Sequence, residues 1–417
     1  MESVGKTPKK ILILIEDGSF LFDNRVQRES ATLTKAGYQV LVICPRYPGE
    51  TEYDVQEGVH VYRYDKWRFG GHLGEYGSSL IKGFWLTWRV WKQHGFNFIH
   101  ACNPPDFWFL VAVTFKALFG VKFIFDHHDA CPELYLTRFG GSDKSLGYRT
   151  MLLLENLTFK LADAVIATNE SYKRIAITRG HVAKELIRVV RNGPDLNKFR
   201  LMKSDPEIKT PNRMVVGYLG NMNPQDGVEH LLLAARKIIH DLGRKDFFFI
   251  FIGRGDSFED LVAKKKTWGL DDYVWFTGRI PDADMLRCLS SCDICVQPDP
   301  KNPLNDVSTM NKVMEYMALE KPVVAYDLVE TRYSCGDCAL YAEPNRAEDL
   351  ANTIMKLAEN ENMRLEMGGK GRKRVEKLLA WKHSEQNLID LYNLILGKPS
   401  AMPSCGAFRS LFDRITG

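Results

Sequence analysis

The stretch from 304 to 322, LNDVSTMNKVMEYMALEKP, combines a helical pattern with polar side chains that suit phosphate and sugar binding. Ser308 and Thr309 precede the helical pattern and are candidate N-caps. The apolar residues recur at i, i+3, i+4 and i+7, which is the spacing of a helix packed on a core: Met310, Val313, Met314 and Met317. The pattern therefore predicts an amphipathic helix that begins close to Ser308 and Thr309.

Three polar residues of this helix, Asn311, Lys312 and Glu315, project from another face near its N-terminus. A helix N-terminus carries partial positive charge and free N–H groups, and Lys312 adds a full cation, so a phosphate would bind well there. Glu315 lies one turn further on and could accept hydrogen bonds from a sugar diol. Together these groups describe a nucleotide-sugar site, and the alternative is an ordinary amphipathic helix with a solvated polar face.

The motif Lys312-x-x-Glu315-Tyr-Met-Ala, followed by Lys-Pro-Val-Val, resembles the donor-site helix of family 4 glycosyltransferases. In that family the glutamate typically binds the ribose of the nucleotide. The resemblance runs in the right order from Ile11 to about Gly397. It implies the α/β fold called GT-B, with two doubly wound Rossmann-like domains that face each other across a cleft.

A chain of 417 residues is too long for one ordinary core, which also indicates two domains. We expect an acceptor-side domain, a nucleotide-sugar domain, a closing helix that returns to the first domain, and a tail: 1–199, 212–383, 384–398 and 399–417. Hydrophobic residues make up 45% of the chain and charged residues 26%, as in soluble globular proteins. The net charge of +4 is too small to indicate nucleic-acid binding.

The N-terminus reads MESVGKTPKK and then ILILI, which we interpret as a first strand and not a signal peptide. No apolar run is long enough to span a bilayer.

The nine cysteines are an odd number scattered along the chain, which points to reduced thiols in the cytosol. Two cysteine clusters could suggest zinc, but one reads as a buried strand and the other as a turn, so we predict no metal: Cys288, Cys292 and Cys295, and Cys335 with Cys338.

A strand at Met214–Leu219 ends in a loop from 220 to 227, before a helix from Val228 to about Leu242. A glycine-bearing loop between a strand and a helix N-terminus is a phosphate cradle by geometry, which makes Gly220 and Asn221 candidates. The resembled family often carries Arg and Lys in this loop, and this chain has Asn and Asp226-Gly227 instead. That difference places more weight on Lys312 and on backbone N–H groups.

Further donor-site candidates come from the resemblance. Arg254 follows the predicted strand Phe247–Ile252, and Arg279 lies where the nucleobase usually binds in the family. The commoner form of the family has two glutamates eight residues apart, whereas Val307 stands eight before Glu315, so Asp306 is only a neighbouring substitute. The expected donor-binding set is Gly18, Gly220, Asn221, Arg254, Arg279, Asp306, Ser308, Thr309, Met310, Asn311, Lys312 and Glu315.

The first half opens with a buried strand at Ile11–Ile15, a loop containing Gly18 and Ser19, and a helix from about Asp23 to Ala36 that Gly37 ends. This is a βαβ unit, so Gly18 lies where loops line the ligand cleft. The first helix of the resembled family carries an arginine near its start. Arg25 and Arg28 fit that position, or are surface residues.

The strand Val121–Phe125 leads into Asp126-His127-His128-Asp129. A histidine pair at a strand end could be structural or a metal ligand. In the resembled family a histidine at this position contacts the donor sugar, and His128-Asp129 is the aligned pair, although either His127 or His128 could fill the role.

Between 62 and 94 the chain is basic and aromatic. One helical stripe is surrounded by Lys82, Arg89 and Lys92 and has Trp85 beside it: Phe84, Trp88 and Trp91. Such a stripe suits a membrane interface, and equally a helix packed on the core. The tail carries a second stripe with Arg409 and Arg414, which is a possible membrane contact or a frayed end: Phe408, Leu411, Phe412 and Ile415. We expect peripheral membrane contact through 62–94 and 408–415.

The resemblance implies a retaining glycosyltransferase that moves a sugar from a nucleotide-diphosphate donor, a UDP-sugar before a GDP-sugar, to an acceptor hydroxyl. Lys312, the helix start and Arg254 would stabilise the departing diphosphate. His128, Asp129, Lys312 and Glu315 are the candidate catalytic residues, with no metal or cofactor required. We expect a cytoplasmic enzyme at the inner membrane face that extends a lipid-linked glycan of a surface polysaccharide. The alternatives are a soluble transferase for a small metabolite and an inactive nucleotide-binding scaffold, and the sequence leaves the oligomeric state open.

Overall fold

A computed structural model describes residues 8–67 and 71–397, apart from the side chains of 72 and 73. The chain forms two compact units. The first takes its described residues from Met1–Leu136, Gly141–Val190 and Glu385–Gly417, and the second consists of Thr137–Gly140 and Arg191–Ser384. The predicted tail from 399 onward, including the stripe at 408–415, lies outside the described residues.

The first unit is built on an eight-stranded sheet. Its strands are β1 (Lys10–Leu14), β2 (Gln39–Pro45), β3 (Tyr53–Gln56), β4 (Val59–Tyr64), β5 (Phe98–Cys102), β6 (Lys122–His127), β7 (Ala164–Ala167) and β8 (Ile187–Val189). The order is β3-β4-β2-β1-β5-β6-β7-β8, and every pair is parallel except β3 with β4. The order reverses between β1 and β5, so their C-terminal ends flank the crevice where doubly wound sheets bind ligands.

Six helices follow these strands: α1 (Asn24–Lys35), α2 (Gly71–His94), α3 (Phe109–Phe119), α4 (Cys131–Phe139), α5 (Leu146–Leu161) and α6 (Glu170–Thr178). Asp23 caps α1 by accepting hydrogen bonds from the backbone N–H groups of Arg25 and Val26. Gly37 follows the end of α1 with a φ of +90°, which a residue with a Cβ rarely adopts. The predicted limits of this helix are therefore confirmed to within one residue.

The second unit has a six-stranded parallel sheet: β9 (Met214–Leu219), β10 (Phe247–Ile252), β11 (Val274–Gly278), β12 (Ile294–Gln297), β13 (Val323–Tyr326) and β14 (Ala339–Ala342). Its order is β11-β10-β9-β12-β13-β14. The helices of this unit are α7 (Val228–Arg236), α8 (Phe258–Thr267), α9 (Asp282–Ser290), α10 (Asn311–Ala318), α11 (Val329–Cys335), α12 (Ala347–Ala358) and α13 (Glu361–Arg374), and the last helix, α14 (Trp381–Leu396), begins in this unit and belongs to the first unit from Glu385 onward. The order reverses between β9 and β12, which brings the loops after these two strands to one crevice.

The cysteines behave as apolar or turn residues. Cys295 is fully buried in β12, as predicted, whereas Cys335 is the last residue of α11 and only Cys338 lies in the turn before β14. All eight cysteines of the described chain are free and buried. Phe199, the last residue of the predicted first domain, and Ile208, between the two predicted domains, are buried in the core of the second unit.

The aromatic stripe of α2 packs on α3. The ring of Trp91 stacks on Phe119 with centroids 4.4 Å apart, and Trp88 lies 5.7 Å from Phe115. Phe84 lies 6.4 Å from the same Phe115 ring. The stripe therefore packs α2 against α3, as the core-packing alternative predicted. Along the described residues, no helix combines the length and hydropathy that crossing a membrane requires.

Candidate functional site

Close backbone packing shapes the loops after β9 and β10. Gly220 N donates to Ile252 O at 3.0 Å, and a Cβ on Gly253 would lie 1.9 Å from Gly220 O. A Cβ on Gly255 would lie 2.6 Å from the backbone of Met222. Side chains at 253 and 255 would therefore separate the two loops, and glycine at these positions is what allows the predicted phosphate cradle to form.

Replacing Gly253 with alanine is expected to lower the free energy of unfolding by at least about 1–3 kcal/mol, because its φ of +129° is strained for any residue with a Cβ. The clash with Gly220 O adds to that strain. Gly369→Ala, in α13 and with open space around the added Cβ, is the control and should be neutral or slightly stabilising. Urea denaturation measures both, and equal stability of the two variants would contradict the prediction.

The predicted N-caps of α10 are wrong. The helix begins at Asn311, and Met310 occupies the cap position without a side-chain hydrogen bond. Ser308 Oγ donates to Leu304 O at 2.8 Å, and Thr309 Oγ1 accepts from Arg191 Nη1 at 3.1 Å. These side chains stabilise the preceding loop, and the helix begins only after it.

Lys312 is anchored by Asp299, an acid that follows the end of β12. Its Nζ lies 2.9 and 2.8 Å from the two carboxylate oxygens of Asp299, and 5.0 Å from the centre of the Tyr218 ring. Burial alone would lower the pKa of Lys312, but the charges of Asp299 and Asp226 outweigh it and raise the pKa. Lys312 is therefore a fixed cation. Its Cε would lie 3.2 Å from a Cβ on Gly220, so the cation and the glycine loop meet.

Asp226 changes the charge of this crevice. Burial, together with the neighbouring Asp299, raises its pKa to about 6 although Lys312 opposes the shift. Its Oδ2 accepts a hydrogen bond from Asn223 N at 2.9 Å. Asp226, which stands where the resembled family often has basic residues, thus interacts with Lys312, the predicted phosphate-binding cation.

The first turn of α10 also presents an unsatisfied polar atom. The Asn311 Oδ1 atom is buried and has no hydrogen-bond partner among the described residues. Such groups are rare in folded proteins, and a bound ligand is one way to satisfy them. Glu315 is partly buried one turn further along the helix.

The other predicted donor-site residues occupy different settings. Asp306 Oδ1 accepts from Val329 N at 3.0 Å and so holds the start of α11. Arg254 is 61% exposed and pairs with Glu259 at 2.7 Å. Arg279 and Asn221 are exposed at the ends of β11 and β9.

Arg191 was missed as a site residue. Its guanidinium is 7% exposed, bonds Thr309 as described above and pairs with Glu330 at 3.3 Å. It also lies 4.5 Å from the centre of the Tyr333 ring. Arg191 therefore ties the loop before α10 to α11. The signal in the sequence is its place at the start of 191–195, Arg-Asn-Gly-Pro-Asp, which resembles the Asn-Gly-x-Asp loop of family 4 glycosyltransferases.

In the first unit, Arg25 is a buried residue and not a surface one. Its Nε and Nη2 lie 3.1 and 2.9 Å from the two oxygens of Asp126. Its Nη1 donates to Val190 O at 2.8 Å, and its Nη2 forms an ion pair with Glu29 at 3.0 Å. The guanidinium lowers the pKa of Asp126 well below its usual value despite complete burial, so this carboxylate stays ionised.

His128 adjoins this ion pair. Its Nε2 is 2.5 Å from Asp126 Oδ2, and its side chain is 16% exposed. Burial lowers the pKa of His128, as does Arg25, whose Nε lies 2.9 Å from the same Nε2, but Asp126 outweighs both and raises the pKa to about 9, which favours the imidazolium at neutral pH. His127 is fully buried, and its ring packs 5.1 Å from Phe159 and 4.8 Å from Tyr172. Of the two histidines, only His128 is open to solvent, and its sugar contact stays a prediction.

Asn103 holds the loop that carries His128 and Asp129. Its Oδ1 accepts from the backbone N–H groups of both residues, at 2.6 and 3.1 Å, and its Nδ2 donates to Asp129 O at 2.7 Å. Asn103 follows β5, and Gly18 follows β1, so both lie at the reversal point of the first sheet. A Cβ on Gly18 would meet none of the described atoms within 4 Å, so this loop leaves space at the sheet edge.

Three buried groups of metal-ligand type also converge in the first unit: His100, Cys102 and Asp126, with potential ligand atoms within 4.8 Å of one another. His100 already bonds Tyr392 through Nδ1 at 2.8 Å and Asp126 through Nε2 at 3.3 Å. The Arg25 guanidinium, 2.9 Å from Asp126, would repel a cation. The arrangement fits a hydrogen-bond network better than a metal centre.

Comparisons with known proteins agree with this architecture. The family described as Glycosyltransferase Family 4 matches residues 24–198, and the one described as Glycosyl transferases group 1 matches 213–360. The uncharacterized glycosyltransferase MJ1069 of Methanocaldococcus jannaschii is 25% identical over 86% of this chain and 91% of its own. The capsular polysaccharide biosynthesis glycosyltransferase CapM of Staphylococcus aureus is 26% identical over 61% of this chain and 67% of its own. The crystal structure of HepE from Anabaena, in complex with UDP and glucose, matches with a TM-score of 0.70 and 19% identity, over 93% of this chain and 100% of its own.

Proposed function

We propose that this chain, which belongs to the family 4 glycosyltransferases, moves a sugar from a nucleotide-diphosphate-sugar to an acceptor hydroxyl with retention of configuration. The proposal rests above all on the Lys312 ammonium, which Asp299 holds beside the glycine loops at the reversal point of the second sheet. Ligands of open α/β sheets bind at such points. The HepE structure with UDP and glucose supports a nucleotide-sugar as the donor.

In the proposed donor complex the diphosphate lies between Lys312 and the first N–H groups of α10. Glu315, one turn away, binds the ribose. The pre-positioned cation neutralises charge as the diphosphate leaves and positive charge develops on the sugar. We propose that the sugar is carried by UDP in preference to GDP. No metal is needed, because the lysine and the helix start supply the positive charge.

For the acceptor we propose a lipid-linked glycan of a surface polysaccharide. The likeness to CapM, a capsular polysaccharide biosynthesis enzyme, supports this choice. A lipid-linked acceptor requires the enzyme to reach a bilayer surface, so we propose peripheral association with the inner face of the cytoplasmic membrane. The free buried thiols of the described chain suit a reducing compartment.

Thermal unfolding with UDP, GDP, ADP and dTDP tests the donor proposal. One nucleotide should raise the melting temperature of the wild type, because a ligand at about 100 times its Kd stabilises the native state by about 2.7 kcal/mol. Glu315→Ala should lose the response. Glu366→Ala, a 67% exposed glutamate on α13, is the matched control and should keep it. No response to any nucleotide at millimolar concentration would reject the proposed site.

Nucleotide affinity is expected to depend on Asp226. As pH rises through about 6, Asp226 ionises, and its charge opposes the bound diphosphate. We expect affinity for UDP to fall on the order of tenfold between acidic and neutral pH. Calorimetric titration of Asp226→Asn separates this effect from ionisation of the nucleotide itself, which both proteins share. The same pH dependence in the variant would contradict the prediction.

A further inference from the structure

The outer surface of α2 and α3 exposes an unusual number of large apolar side chains. We call this surface the α2–α3 face and define it by five residues that are 41–66% exposed: Ile81, Trp85, Leu110, Leu118 and Phe119. Residues 81 and 85 are one turn apart on α2 and share a helix side, and residues 118 and 119 lie together at the C-terminal end of α3. Clustered exposed apolar side chains often mark an interaction site.

Ring contacts join the two halves of this face. The Trp85 ring lies 6.0 Å from Phe84, and Phe84 in turn contacts α3. Phe119 lies 5.8 Å from Trp88 and stacks on Trp91. The stripe that predicted a membrane contact from sequence is thus the packed layer beneath the face. The exposed residues that lie over it come from both helices.

Positive charge predominates on the α2 side of the face, although the exposed residue Asp65 lies beside Lys82, whose Nζ donates to Asp65 O at 2.6 Å. Lys82, Arg89 and Lys92 lie on α2, and the Lys92 Nζ is 6.0 Å from the Trp88 ring. Between Tyr76 and Phe119 the chain has one acidic residue, Asp106, and it is buried. Aromatic rings with flanking cations are typical of surfaces that lie at the headgroup level of anionic membranes.

We propose that the α2–α3 face binds the surface of a bilayer that contains anionic lipids. This inference rests on the proposed function, because a lipid-linked acceptor would be held in such a bilayer. Trp85 and Phe119 enter the headgroup region, and the three cations contact lipid phosphates. A protein partner would be expected to offer acidic groups only at some positions, whereas a bilayer offers them along the whole cationic edge.

Co-sedimentation of the full chain with vesicles tests the proposal. Phosphatidylcholine vesicles containing phosphatidylglycerol should bind the wild type, and vesicles of phosphatidylcholine alone should not. Arg89→Gln with Lys92→Gln should weaken binding about 25-fold, since each basic residue near an anionic surface contributes about fivefold. Trp85→Ser with Phe119→Ser should weaken it at least tenfold. Leu365→Ser, a 69% exposed leucine on α13, is the control and should bind normally.

Several results would overturn the proposal. One is equal binding by the wild type and both double variants. Another is loss of binding only when residues 399–417 are removed, which would assign the contact to the tail. Self-association that is lost in the variants, without vesicle binding, would assign the face to a second copy. The nucleotide response is measured on the same proteins. Its absence in the wild type rejects the donor site and leaves the vesicle result to be judged separately. Its retention in the variants shows that they are folded.

Discussion

Lys312→Met is expected to abolish the nucleotide response and to lower the free energy of unfolding by about 3–5 kcal/mol. The second effect follows because Asp299 is 2% exposed and would lose the cation that contacts both of its oxygens. Loss of the nucleotide response in this variant alone could therefore reflect damage to the fold. Urea denaturation and thermal unfolding with UDP measure the two effects separately.

The double variant Lys312→Met with Asp299→Asn separates folding from binding. A neutral amide at 299 needs no cation, and Gln297 Nε2, now 2.8 Å from Asp299 Oδ2, remains a hydrogen-bond donor. Most of the lost stability should return, whereas the nucleotide response should stay absent. Recovery of that response in the double variant would show that the lysine is not the phosphate-binding cation. Asp299→Asn alone should keep the response, because it leaves Lys312 charged.

Asp126→Asn is expected to lower the pKa of His128 from about 9 to near or below its ordinary value of 6.5. The amide removes the charge that raises this pKa, while Arg25 still lowers it and Asp23 only partly compensates. Titration of the histidine rings by NMR measures the change, with His128→Asn identifying the signal. If transfer requires the imidazolium, the alkaline limit of activity should move down by about two pH units or more in the Asp126 variant.

The raised pKa of His128 also predicts how the stability of the fold depends on pH. A histidine whose folded-state pKa lies above its unfolded value stabilises the fold fully below the unfolded pKa, and that contribution is lost as pH rises through the folded value. For His128 the window runs from 6.5 to about 9 and is worth up to about 3 kcal/mol. The stability difference between wild type and His128→Asn should shrink across this window. A constant difference from pH 6 to 10 would contradict the assigned ion pair.

The family and the alternation of strands and helices could be predicted because the signals are local. The capped helix after β1, the glycine loop after β9 and the Lys-x-x-Glu helix each lie within a short stretch of chain. The start of α10 was placed wrongly for a local reason as well. Ser308 and Thr309 are good N-caps by residue type, but their oxygens bond Leu304 and Arg191 instead.

The aromatic stripe of α2 shows a different limit. A stripe at helical spacing has the same sequence whether it packs on protein or on lipid. Only the rings of α3 show that Phe84, Trp88 and Trp91 face inward and that Trp85 remains outside. That choice depends on how two helices dock, and the pattern of one helix does not contain it.

The sequence by itself determined the type of protein: two α/β units, a family, and a set of polar residues at strand ends. The tertiary structure decided which charges are paired. Lys312 meets Asp299 from 13 residues away, and Arg25 meets Asp126 from 101 residues away. Parallel sheets bring the ends of distant strands to one edge, so the neighbours of a charge there are set by strand order. Those neighbours decide that Lys312 is a fixed cation and that His128 is an imidazolium.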